Sequence, residues 1–385
     1  MLTTNIEFTN FQVKFRNSKT KKFLNSLLKE KSQLIKSLGQ NYKNSFLNNQ
    51  IKKYKTIKDF RLIGMGGSTL GCQAIYDFLS HKIKKNFIFI DNLQAKKIKK
   101  ENKKQYTNLI ISKSGNTIET IVNSNIYINR KDKNIFITEN TENYLHNLAN
   151  KLKSEVVHHN NFIGGRYSVL SEVGMLPAEL MGLDIKKFRQ LNFLIKNRKF
   201  FNALISNVNS TLYFIKKKKF NSIIINYDES SDNLFKWYQQ LIAESLGKKK
   251  KGILPIVSTM PKDNHSVMQL YLDGFQNNFF TFFFEKDRET QKINNSRILF
   301  SQKFIKNKNL SDIIYAQKKA TENVFIKKKI PFRSFEIKKR DEKTLGELFC
   351  FFILETILIG KCLNLNPYDQ PSVELIKTET KKILI

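Results

Sequence analysis

Cysteine is almost missing from this chain. Three residues, Cys72, Cys350 and Cys362, are spread through 385 positions. They are too few and too scattered for a disulfide framework or a metal cluster, and they fit a reducing cytoplasm. Long apolar runs are also missing. A membrane-spanning helix needs roughly eighteen or more consecutive apolar residues, and none is found, so no membrane association is expected. The opening MLTTNIEFTNFQVKF lacks a basic start followed by an apolar stretch, so no secretory signal is read. Low-complexity tracts and fixed-period repeats are absent, which excludes solenoid, collagen-like and coiled-coil architectures.

Acidic residues are scarce. Asp and Glu total 33 against 67 Lys and Arg, a net charge of +34. A field of that sign attracts phosphates, and nucleic acid is one class of partner it fits. The excess is nearly all Lys, with ten Arg, and it is spread along the chain rather than gathered in one element. The co-enrichment of Lys, Asn, Ile and Phe is what an AT-rich coding sequence produces. No groove-reading helix, finger or RNA-binding signature accompanies the charge. The expectation is a solvated basic surface, no specific nucleic-acid partner, and a field that helps gather a small anionic substrate.

What is present is a repeating alternation of strand and helix. Residues 1–50 read as a helical segment, with Phe23, Leu24, Leu27 and Leu28 at helical spacing. From there the pattern is strand, loop, helix: strands at Phe60–Ile63, Asn86–Ile90, Leu109–Ser112 and Asn134–Thr138, then a mostly helical stretch from Glu172 to about Ile215. The alternation restarts at Ser222–Ile225, Ile253–Ser258, Phe279–Phe284 and Ser334–Ile337, with helices at Leu234–Leu246, Asp312–Asn323, Leu345–Leu363 and Pro371–Leu384. This predicts an α/β protein of two tandem doubly wound parallel sheets with helices on both faces, over 51–190 and 191–385. Such sheets bind ligands beyond the carboxyl ends of their strands, so the loops there hold the candidate residues.

Gly64-Met65-Gly66-Gly67-Ser68 follows the first of these strands. It departs from the Gly-x-Gly-x-x-Gly dinucleotide fingerprint and lacks a Walker Lys, so a tight turn and a close ligand approach both remain open. Ser112-Lys113-Ser114-Gly115-Asn116-Thr117 also lies between strand and helix. Thr117 alone reads as a helix cap, but three hydroxyls and a Lys in one turn make a nest for a phosphomonoester. Gly164-Gly165-Arg166 offers a guanidinium fork for a developing oxyanion, or a surface turn. Gln240 and Glu244 share one helix face. Trp237, Leu241, Ile242 and Leu246 nearby could raise the Glu244 carboxyl toward a general base, whereas pairing with Lys248 would make it an ordinary surface Glu. His265 sits in a polar loop and suits acid/base work near neutral pH. His158 and His159 read as structural, and His81 and His146 as surface. Gln370, Glu374 and Lys377 lie near one face at the start of the last helix.

Taken together and in this order, these segments resemble the phosphoglucose isomerase family. The resemblance runs from about Gly64 to Lys377, and its most specific stretches are GGRYSVLSEVG at 164–174, QQLIAESLGK at 239–248, DNHSVMQLYLDG at 263–274 and NPYDQPSVELIK at 366–377. It implies two sugar-isomerase domains in one of the family's shorter members, a cytoplasmic homodimer with shared active sites, a phosphosugar substrate, and no cofactor or metal. By motif, Ser112, Lys113, Ser114 and Thr117 form the phosphate loop, and Gly66, Gly67 and Ser68 line the sugar. Arg166 steadies the enediolate, and Glu244 moves the proton between C2 and C1. His265, from the partner subunit, opens the ring with Lys377 assisting, while Gln240 and Gln370 hold substrate. Ile376 stands where the family usually has Gly, which places a β-branched residue beside Lys377. Isomerisation of another phosphosugar such as mannose 6-phosphate, and non-catalytic sugar-phosphate binding, are the rival functions.

Overall fold

The first strand, β1 (Ile6–Thr9), lies in a stretch expected to be helical. The computed structural model describes residues 1–95, 105–129, 131–286 and 290–385, and in it β1 adds an antiparallel edge to the second sheet. The physical reason is a short period-two pattern. Ile6 is fully buried and Phe8 packs on Phe335 with ring centroids 4.6 Å apart. Helices at Ser18–Lys29, Gln33–Ser37 and Asn48–Lys52 account for much of the remaining segment.

The first sheet holds β2 (Asp59–Gly64), β3 (Asn86–Ile90), β4 (Thr107–Ile111), β5 (Lys133–Thr138) and β6 (Glu155–His158). Their order is β3-β2-β4-β5-β6 and every pair is parallel. β4 is buried at all five positions, as expected of a central strand covered on both faces. The second sheet contains β7 (Asn221–Asn226), β8 (Leu254–Thr259), β9 (Asn278–Glu285) and β10 (Phe332–Ile337), in the order β1-β10-β9-β7-β8. Its four later strands are parallel, so the sheet is mixed only at the β1 edge.

Helix Glu342–Cys362 is buried almost continuously from Thr344 to Gly360 and is the central beam of the core. Burying each large apolar side chain there contributes about 1.5–3 kcal/mol. Beside it, the buried Arg333 pairs with Glu355, and Asn207 and Tyr238 share the same network. Among the described residues, no helix is long and apolar enough to cross a membrane.

In each sheet the strand order reverses once, between β2 and β4 and between β7 and β9, and such switch points form ligand crevices. The two differ. The crevice between β7 and β9 is filled by Arg340, which bonds Asp228, Glu285 (2.9 Å) and the Phe78 carbonyl (3.2 Å), with its guanidinium over the Phe78 ring. At the first switch point, between β2 and β4, lie two of the candidate loops.

Candidate active site

The loops after β2 and β4 leave the sheet side by side, because Gly64 and Ile111 are register partners. On the β4 side, Ser112 is buried and its Oγ lies 2.9 Å from Thr117 Oγ1. Thr117 occupies the cap position of helix Ile118–Tyr127 but makes no side-chain capping bond, so the simple cap does not account for its hydroxyl. Ser114 Oγ accepts from the Asn116 N–H at 3.3 Å. Lys113 differs from the sequence reading: its Nζ donates to the Asn161 carbonyl (2.8 Å) and pairs with Glu139 (3.3 Å). The Lys113 ammonium is thus tied to the flank of this turn by Asn161 and Glu139, while the Ser112 and Thr117 hydroxyls face each other within it.

On the β2 side, Gly66 has φ +54°, and a Cβ there would meet Gln240 Nε2 at 2.7 Å. At Gly67 a Cβ would fall 2.2 Å from the Gly165 carbonyl carbon. Backbone thus packs on backbone, which requires glycine. This contact ties the Gly66–Ser68 turn to the turn Gly165–Leu170 that carries Arg166.

Arg166 is 2% exposed. Its Nε donates to Ser245 Oγ (2.8 Å), and its Nη1 donates to Glu244 Oε2 (3.1 Å) and Gln370 Oε1 (2.7 Å). Its Nη2 donates to the Pro367 (2.7 Å) and Asp369 (3.0 Å) carbonyls. A guanidinium has five N–H donors, and all five have protein acceptors. The Arg166 carbonyl in turn accepts from Trp237 Nε1 at 3.1 Å, which locks the turn to helix Asp232–Leu246.

That helix begins where Asp232 accepts from Asn226 and Thr259 at the ends of β7 and β8. One turn apart near its far end, Gln240 Nε2 donates to Glu244 Oε1 at 2.9 Å. Glu244 is thus gripped at both oxygens by Gln240 and Arg166. The apolar residues expected to surround it, Trp237, Leu241, Ile242 and Leu246, are buried in the core, while its own carboxylate meets polar partners. Lys248 pairs with Asp369 (2.6 Å) instead of Glu244.

Two further candidates stand apart from this cluster within one chain. His265 is exposed on the turn Lys262–His265 after β8. Lys377 lies on helix Pro371–Leu384, which buries no residue, and its Nζ pairs with Glu374 at 2.6 Å. Gln370 turns inward to Arg166, whereas Glu374 and Lys377 pair with each other outside. His159 is buried, and burial pushes its imidazole down to about 4, consistent with a structural role. Cavities of about 530 Å³ near Tyr42 and Asn192, and about 1230 Å³ near Phe15 and Asn209, share no residue with the Arg166 cluster. Sequence reasoning missed Tyr167 and Ser245, although both lie inside the quoted motifs. A hydroxyl's partners are not visible in spacing.

Residues 26–385 match the phosphoglucose isomerase family. The chain belongs to that family. Among the relatives of this phosphoglucose isomerase family member, a glucose-6-phosphate isomerase of Methanocaldococcus jannaschii is 35% identical, with 86% of each chain covered. One of Campylobacter jejuni is 31% identical over 87% of each. Among solved structures, a hypothetical protein of Thermus thermophilus superposes with TM-score 0.82 at 21% identity, covering 95% of this chain and 94% of the other. A glucose-6-phosphate isomerase of Chlamydia trachomatis gives 0.69 at 16%, covering 99% and 88%. These superpositions bear out the doubly wound sugar-isomerase fold.

Proposed function

We propose that the chain interconverts glucose 6-phosphate and fructose 6-phosphate through an enediol, as a step of glycolysis and gluconeogenesis. The observation that carries the reading is the Glu244 carboxylate held between Arg166 and Gln240, close to a turn that presents paired hydroxyls for a phosphate. Glu244 takes the C2 proton and returns it at C1. Arg166 Nη1 meets the developing oxyanion, a contact a substrate oxygen makes by displacing Gln370 Oε1. Gln240 steadies the base through its Nε2 donation to Glu244 Oε1 at 2.9 Å. Ser112, Ser114 and Thr117 receive the phosphate, with Lys113 adding charge from its neighbouring pair with Glu139. Such a proton transfer within one substrate needs neither nicotinamide nor metal.

His265 and Lys377 serve ring opening, with His265 supplied by a second copy. The exposure of His265 supports that arrangement. So do the exposed apolar residues Leu299 (75%), Phe300 (87%) and Phe304 (74%), a concentration of the kind that marks association surfaces. Three free cysteines fit a cytoplasmic location, and the dispersed lysines fit a solvated surface without a specific nucleic-acid partner.

The test is a coupled assay of purified protein with fructose 6-phosphate and, separately, mannose 6-phosphate. Turnover of fructose 6-phosphate to glucose 6-phosphate supports the reading. Turnover confined to mannose 6-phosphate replaces it with the epimer's isomerase, and binding of either sugar phosphate without turnover replaces it with a regulator.

A further inference from the structure

Beneath the Arg166–Glu244 contact lies a closed ring of hydrogen bonds. Arg166 Nε–H donates to Ser245 Oγ at 2.8 Å, and Ser245 Oγ lies 2.8 Å from Tyr167 Oη. Tyr167 Oη–H donates to the Pro367 carbonyl at 2.9 Å, and Arg166 Nη2 donates to the same carbonyl at 2.7 Å. Each hydroxyl carries one proton. Tyr167 spends its proton on Pro367, so Ser245 must spend its own on Tyr167. The ring therefore runs in one direction, from Nε through Ser245 and Tyr167 to Pro367, and Nη2 closes it.

Every member of the ring is buried: Arg166 is 2% exposed, Tyr167 1% and Ser245 0%. No substrate can reach either hydroxyl. Burial pushes the Tyr167 phenol above its ordinary value, so its proton stays in place through the neutral range. Of the three guanidinium nitrogens, Nη1 alone stands outside the ring, and its acceptors Glu244 and Gln370 are on the accessible side.

We infer that Tyr167 and Ser245 are positioning residues for the isomerase reaction: their hydroxyls fix the guanidinium plane of Arg166 so that Nη1 faces the Glu244 carboxylate and the reacting oxygen. This rests on the isomerase reading above. A long side chain held only at Nη1 could turn about its last torsion. A ring holding both Nε and Nη2 removes that freedom before substrate arrives, and preorganised donors are what lower the barrier for charge that develops in the transition state.

The test compares kcat and KM for fructose 6-phosphate in wild type, Tyr167→Phe, Ser245→Ala, Ser245→Thr and Arg166→Lys, and in Tyr167→Phe placed on Arg166→Lys. Positioning predicts that Tyr167→Phe and Ser245→Ala each lower kcat by about tenfold with KM changed less than about threefold. It predicts that Ser245→Thr, which keeps the hydroxyl, retains most of the turnover. On Arg166→Lys, which has no fork to orient, Tyr167→Phe should cost no more than about twofold, because coupled residues are non-additive. Wild-type kcat in both hydroxyl variants overturns the inference, as does an equal loss on the Arg166→Lys background.

A second readout does not depend on turnover. In arginine-labelled protein, the Arg166 Nε–H resonance, assigned by its absence in Arg166→Lys, should exchange slowly with solvent in wild type and faster in Ser245→Ala. Unchanged exchange overturns the ring even in a chain that isomerises nothing. Loss of wild-type turnover alone counts against the isomerase reading.

Discussion

Arg166 Nη1 lies 3.1 Å from Glu244 Oε2, and the two belong to different parts of the chain, 78 residues apart. The Arg comes from the turn Gly165–Leu170 and the Glu from the last turns of helix Asp232–Leu246. The close Gly67–Gly165 packing and the Trp237 bond to the Arg166 carbonyl hold these elements at that spacing. The carboxylate is fixed before substrate binds, and it retains 29% side-chain exposure through which substrate can approach.

The hydroxyl pair at the β4 switch point should be felt through the phosphate. Thr117→Val removes the hydroxyl and keeps the shape. Loss of a charge-assisted hydrogen bond of about 1–2 kcal/mol should raise the apparent KM roughly tenfold. Inorganic phosphate should compete with substrate in wild type and compete less well in the variant. Steady-state inhibition by phosphate checks both, and phosphate inhibition equal in the two proteins would remove this turn from the site.

If His265 comes from a second copy, two inactive proteins should complement each other. Glu244→Gln and His265→Ala are mixed under conditions that let subunits reassort. Random pairing makes about half the dimers mixed, and one site in each mixed dimer has both residues intact, so about a quarter of wild-type activity should return. A flat activity trace after verified exchange means that each site is built within one chain.

The segment just before β1 is tethered by Thr3 Oγ1, which donates to Glu347 Oε2 at 2.6 Å. Burial pushes the Glu347 carboxyl up from 4.5 to about 6. A carboxyl with a raised folded-state value binds its proton more tightly folded than unfolded. Its contribution to stability is therefore complete below about pH 4.5 and is lost as pH rises through about 6. The shift corresponds to about 2 kcal/mol. In Glu347→Gln this pH dependence disappears. The variant's stability relative to wild type, from denaturant unfolding, should rise by about that amount between pH 4.5 and pH 7. A difference that stays constant over this range would show that Glu347 does not titrate there.

Apart from the short, half-buried β6 (Glu155–His158), which was not among the expected strands, the parallel strands were legible in the sequence because mostly apolar stretches such as Leu109–Ile111 and Phe279–Phe284 are bounded by turn residues. β1 was not, since a four-residue strand with two apolar positions gives too little signal among helical neighbours. The glycines and hydroxyls at the first switch point and the Gln240–Glu244 face were readable, because each is a local pattern. Three-dimensional partnerships were not. Nothing in the spacing told that Lys113 would be taken by Glu139 and Asn161, that Lys248 would choose Asp369 over Glu244, or that Ser245 and Tyr167 would close a ring behind Arg166. These contacts join residues 26 to 121 positions apart, and the fold alone decides them.

The most direct measurement is the turnover of Glu244→Gln with fructose 6-phosphate beside wild type. The amide keeps the shape and removes the base, so kcat should fall by at least about a hundredfold, with KM changed little and no exchange of the C2 proton with solvent. A variant that turns over near the wild-type rate would contradict the assignment of Glu244 as the base.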